Sequence, residues 1–170
     1  MTTKPTNDLG FARAVDLYSF EGCFSNRGET GADGSKSSLS SVIWPHSDLD
    51  HKRIDTVKVQ VEAPDVLLVS ALTADHVVRE DRFVAGTDFR FESGRISVIS
   101  HARASSATEP GNPFIGVYTE STELGVDAAG DARMVEAANM LGTAFLVVPT
   151  IGRISDVTRF RKLGSSCDGS

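Results

Sequence analysis

The densest group of potential metal ligands is the run HSDLDH, where His46, Asp48, Asp50 and His51 lie close together. Imidazole and carboxylate groups suit borderline and hard cations. No second ligand pair stands at a matching distance, however, and the surrounding residues are polar and without periodicity. The run therefore reads as a solvated loop. In YTESTEL, Glu120 and Glu123 are candidates for acid–base work, which paired carboxylates perform. In an extended strand, positions three apart face opposite sides, so these two converge only if a bulge intervenes. The segment VREDR, Val78–Arg82, alternates in charge sign. It could line a polar cavity for a small anion, but it reads more simply as an exposed strand with cross-strand ion pairs worth roughly 0.2–1 kcal/mol each. Arg27 and Glu29, in SNRGE, share one face of an extended chain and suit an ion pair at a rim. His76 and His101 each stand alone at turn signals and read as surface residues. There is no GxSxG elbow, Walker loop or dinucleotide glycine pattern, and GETGADG does not lead from a strand into a helix. On these grounds no residue is assigned a catalytic, cofactor-binding or metal-ligating role, and no cofactor is expected.

Cys23 raises a separate question, because it follows a glycine in YSFEGCFSNRGE. A lipid-modified cysteine needs an apolar stretch before it to enter the export machinery. Here Phe20, Glu21 and Gly22 precede it, and MTTKPTNDLGFARAVDLYSF contains no continuous apolar region. The expectation is no export signal in the chain as written, and an unmodified thiol acting as a small strand side chain. The second cysteine, Cys167, lies in the tail GSSCDGS. Two cysteines do not make a disulfide framework, and two free thiols are expected rather than a bridge.

The elements that would position these groups are mainly strands. The chain has 170 residues, 40% hydrophobic and 24% charged, which is ordinary globular usage and enough for one domain with a sizeable core. Its net charge of -6 argues against nucleic acid or an anionic membrane as partner, since both require a basic footprint. The longest apolar run, Ala144–Val148, falls far short of the ~18 residues of a transmembrane helix. Residues 1–17 read as a loosely held arm, 18–163 as a single β-domain and 164–170 as a disordered tail. FEGCFSN and LSSVIWP read as short strands, the second ended by Pro45, with a loop over RGETGADGSKSS between them. In IDTVKVQVEA, Val57, Val59 and Val61 alternate with polar residues, the mark of a half-buried strand. VLLVSALT suits a strand covered on both sides, and VVREDRFV a more polar one. DFRFESGRISVIS is a hairpin turning at Ser93-Gly94. HARASSATEPGNP is a long loop, FIGVYTESTELGV a strand kinked at Gly125, and DAAGD a turn. ARMVEAANMLGTAFLVV is ambiguous. Met134, Ala138 and Leu141 share a helical face, with Asp131 and Gly142 as caps, but the short connections on both sides favour strand. DVTRFRKL is the last strand.

The series GCFSNRGE, LSSVIWP, VREDRF, DFRFESGRI, STELGVDAAGD, AFLVVP and TRFRKL resembles a group of small uncharacterised bacterial envelope proteins, many of them lipoproteins, across most of residues 20–163. The resemblance implies a β-rich fold without an established activity, favours strand at 132–141, and would place the protein in the envelope, although the export signal is missing. The expected architecture is an all-β antiparallel meander, a barrel or strongly curved sheet of about eight strands. Its core would draw on Val57, Val59, Val61, Leu68, Phe89, Phe91, Ile96, Val98, Phe145 and Val147. The expected role is a non-enzymatic binding or structural domain, holding a small apolar ligand in the barrel mouth. One alternative is a hydrolase or isomerase with an acidic pocket built from Glu120 or Glu123 and a basic residue. Another is a subunit of an assembly, marked by an exposed apolar patch.

Overall fold

A computed structural model describes residues 2–14, 16–30, 37–98, 103–105, 114–144 and 148–167. Strands dominate: β1 Thr2–Thr3, β2 Gly22–Ser25, β3 Thr56–Ala63, β4 Val66–Thr73, β5 His76–Val84, β6 Phe89–Glu92, β7 Arg95–Val98, β8 Arg103–Ser105, β9 Phe114–Val126, β10 Ala132–Ala144, β11 Val148–Phe160 and β12 Lys162–Gly164. A 3-10 turn over Leu17–Phe20 and one short helix, α1 Leu39–Ile43, complete the set.

The strands form two sheets. One runs β1-β11-β10-β9-β7-β6, with β8 also paired to β9, and the other runs β12-β2-β3-β4-β5. All neighbours are antiparallel except β1 and β11. The all-β expectation holds, and β3-β4-β5 and β9-β10-β11 are meanders. A single closed barrel of about eight strands is not what forms among the described residues. The chain instead passes between two sheets at Arg161, whose carbonyl accepts from the Ser25 amide, and at Ala85, which bridges to Phe89.

One core joins the sheets. Phe24, Val57, Leu67, Val69 and Ala71 come from one side, and Phe89, Ile96, Val126, Ala132, Met134 and Phe160 from the other. Val57, Phe89 and Ile96 are buried as expected, and Val59, Val61 and Phe91 pack against the cluster. Leu68 is a correction: it stands half-buried on the opposite face of β4, opposite Gln60 and Arg82, while Leu67 and Val69 point inward. The unbroken run VLLV has no alternation to set its phase, and a one-residue slip exchanges the faces. Phe145 and Val147 lie outside the described residues, as does the side chain of Val98.

The hairpin at Ser93-Gly94 forms as expected, with φ of 54° and 76° at its two corner residues, the left-handed pair a two-residue hairpin needs. Residues 132–144 are strand, registered from Ala132 opposite Val126 to Ala144 opposite Phe114. The turn before them is held by Asp127, whose Oδ1 accepts from the amides of Ala129 and Asp131.

Residues 39–43 are helix rather than the expected strand. Leu39 and Ser40 donate their amides to the main-chain oxygen and Oδ1 of Asn26, so the first turn gains partners that no local residue supplies. Asn26, itself buried, donates through Nδ2 to the carbonyls of His51 and Ile54. The β-branched residues that suggested a strand fall, with Leu39, at spacings that also suit one face of a helix.

The two cysteines are joined, Cys23 to Cys167, correcting the expectation of two free thiols. The sequence separation of 144 gave no local signal for the bridge. Cys23 lies on the face of β2 opposite Phe24, and the bridge fastens the end of the chain there, so residues 164–167 are tied down where a disordered tail was expected. The expected loose arm is likewise docked. Thr2 and Thr3 pair with β11, Ala12 donates its amide to Val126, and Asp8 receives two hydrogen bonds from Arg133. The Phe11 ring lies under the Arg95 and Arg133 guanidinium groups, 4.5 and 4.4 Å from its centroid. Gly125 makes room for it, since a Cβ there would fall 2.4 Å from the ring. Within the expected loop 101–113, Arg103–Ser105 forms β8.

Candidate functional site

Between the two sheets lies a cavity of about 340 Å³. One wall is built by Phe24 of β2, Val59 of β3, Leu67 and Val69 of β4, and Phe83 of β5. The facing wall is Phe89 of β6, Ile96 of β7, Leu124 and Gly125 of β9, and Ala132 of β10. On β4 the lining residues alternate, because successive side chains point to opposite faces, whereas on β9 Leu124 is joined by its neighbour Gly125, which has no side chain. Phe20, Pro45 and, from the short helix, Leu39, Val42 and Ile43 complete the lining. The helix shapes this part of the wall, with Leu39, Val42 and Ile43 spaced so that one face looks inward.

Among the described residues a single titratable group reaches the lining, Asp88. It and Pro45 are solvent-exposed, so they mark where the cavity opens. The turn between β5 and β6 fixes Asp88: its Oδ2 accepts from the Val84 amide at 2.8 Å, its own amide donates to the Val84 carbonyl, and Gly86 donates to Phe89. Oδ1 has no partner among the described residues. The rest of the lining is hydrocarbon and aromatic. Water held there would lack the two to four polar partners an ordered interior water requires, whereas an apolar solute leaves no hydrogen bond unmade by entering.

The groups singled out from the sequence lie elsewhere. No cluster of three or more potential metal ligands gathers among the described residues. His51 Nδ1 lies 2.9 Å from Ser40 Oγ, and Asp50 Oδ1 accepts from the Lys52 amide, so the HSDLDH run braces its own loop against α1. Glu123 pairs with Arg95 at 2.9 Å, and neither it nor Glu120 lines the cavity. An acid–base pair is therefore not assembled there among the described residues. Glu29 does not pair with Arg27; it binds Arg159 near the end of β11 and Arg161 just after it, and the hydrogen bond from Arg159 holds its carboxyl below the usual range. Within VREDR, Arg79 pairs with Asp81, Arg82 reaches Glu62 on β3, and Glu80 accepts from Ser70. Asp81 also accepts from Trp44 Nε1 at 2.7 Å, which ties the end of α1 to β5. The charged strand is thus an ion-paired surface.

Sequence reasoning missed the cavity because its wall is assembled from ten separate elements. Val59, Phe89 and Ile96 were expected in the core, but nothing in the chain marks Asp88 as different from other turn aspartates. No known protein family, curated protein or solved structure matches the chain.

Proposed function

We propose that this domain binds a small apolar ligand between its sheets and does so without catalysing a reaction. The observation that carries the reading is the inter-sheet cavity, walled by aliphatic and aromatic side chains on both sides and open at one end. Ligand sites of this type start at about 300 Å³ and are mostly apolar with few polar groups. At ~30 Å³ for each water-sized volume, 340 Å³ holds a ligand of on the order of ten non-hydrogen atoms. An enclosed empty cavity of that size would forgo about 8 kcal/mol at ~24 cal/mol per Å³. The total stability of a domain is roughly 5–15 kcal/mol. The opening to solvent makes 8 kcal/mol an upper bound, and an occupant would recover part of it.

In this reading the two sheets act as a flattened barrel with corners at Arg161 and Ala85, and the ligand enters past Pro45. The Cys23–Cys167 bridge supports maturation in an oxidising compartment, in keeping with the resemblance to envelope proteins. Isothermal titration with decan-1-ol tests the binding. Saturable one-to-one heat is expected from the parent, with affinity at least tenfold weaker in Val69→Trp, which places an indole in the cavity. Circular dichroism confirms that the variant remains folded, and Ala132→Leu serves as a second filling variant. Absence of saturable binding by the parent, or equal binding by both folded filling variants, overturns the reading.

A further inference from the structure

The character of the opening narrows the ligand further, on the premise that the cavity is a binding site. We propose that the cavity takes an amphiphile with a cationic amine head, its hydrocarbon body between the sheets and its ammonium group at Asp88. Among the described residues the lining carries no lysine, arginine or histidine, and its one charged group, Asp88, is solvent-exposed at the opening. A ligand lying along the cavity therefore meets apolar surface with its body and one carboxylate with its head. Asp88 is placed for this by the backbone: the Val84 amide holds Oδ2, and Oδ1 is left over. A charged donor meeting a carboxylate makes a stronger hydrogen bond than a neutral one. A carboxylate head in the same position would face like charge beside a low-dielectric wall. The orientation is also set, because an ammonium buried at the far end would find no acceptor among the residues that line it and would carry the full cost of an unpaired buried charge.

Three probes with the same ten-carbon chain separate head from body: decylammonium, decan-1-ol and decanoate, each titrated calorimetrically at pH 7. The expected order is decylammonium tightest, by about 3–5-fold over the alcohol, with decanoate weakest. This range is that of a partly solvated charge pair. Asp88→Asn keeps an oxygen for the Val84 amide and removes the charge, so it should bring the amine and the alcohol to within about twofold of each other while leaving the alcohol unchanged. The net charge of -6 attracts any cation, and Asp75→Asn, on the exposed β4–β5 turn and absent from the lining, controls for that: its amine-to-alcohol ratio should match the parent. If the three probes bind equally, if decanoate binds tightest, or if Asp88→Asn and Asp75→Asn shift the ratio alike, the cationic head is wrong while the cavity stands. If none of the three binds the parent, the cavity itself is not a site.

Discussion

Replacing Gly94 with alanine adds one methyl group at a position where the structure allows none. Gly94 has φ of 76°, where an L side chain is strained by about 1–2 kcal/mol. Its added Cβ would also lie 2.6 Å from the Ala14 carbonyl oxygen and 3.0 Å from the Ala14 amide nitrogen. Both are backbone atoms, so no rotamer change relieves the overlap, and either the hairpin or the docked N-terminal segment must shift. Overpacking of this type costs a further ~1–3 kcal/mol, which brings the expected loss to about 3 kcal/mol. Gly86 isolates the two contributions. It has a similar φ of 85°, with nothing within 4 Å of its Cβ position, so Gly86→Ala should cost only the backbone strain. In thermal melts followed by circular dichroism, Gly94→Ala should lower Tm by about 6–12 °C, at 2–4 °C per kcal/mol for a chain of this size, and Gly86→Ala by a third to a half as much. Equal shifts for the two variants would refute the packing of the hairpin corner on Ala14, and with it the docked state of the N-terminal segment around it.

Other perturbations probe other parts of the fold. Unfolded, unreduced protein should give no reaction with a thiol reagent, and reduction should lower Tm. Closing a loop of 144 residues removes up to about 5 kcal/mol of chain entropy from the unfolded state, of which ~2–4 is usually realised. Asp8→Ala leaves the buried Arg133 without its partner and should cost about 1–3 kcal/mol at neutral pH. The Arg133 hydrogen bonds hold the Asp8 carboxyl below its usual range, so the stabilisation is present above pH 4 and is lost as pH falls through the lowered value. The difference between variant and parent in urea melts should therefore shrink in acid. Glu136 behaves oppositely. Partial burial and the like charges of Asp156 and Glu120 push its carboxyl above its usual range. Ionisation then disfavours the folded state as pH rises past the ordinary carboxylate value, so Glu136→Gln should gain roughly 0.2–1 kcal/mol at pH 7 and nothing below pH 4.

Local pattern determined a good deal by itself. The alternation of Val57, Val59 and Val61 defined a strand and its buried face, because side chains on a strand repeat every two residues whatever the rest of the chain does. Ser93-Gly94 between two alternating runs defined a hairpin, since few residue pairs adopt the left-handed backbone its corner needs. The short connections expected around 132–141 favoured strand over helix despite its helix-favouring composition, and the segment is strand. Tertiary structure decided the rest. Residues 39–43 became helix because Asn26, distant in sequence, supplies acceptors for its first amides. VLLV, lacking alternation, took its phase from the facing sheet, which sent Leu67 and Val69 inward and Leu68 out. Cys23 found Cys167, and Phe11 found Gly125, only through the folded arrangement of the sheets. The cavity belongs wholly to this second class. Its walls come from residues that each look like ordinary core, and whether facing side chains meet or leave a gap depends on the separation of two sheets, a distance that no local pattern encodes.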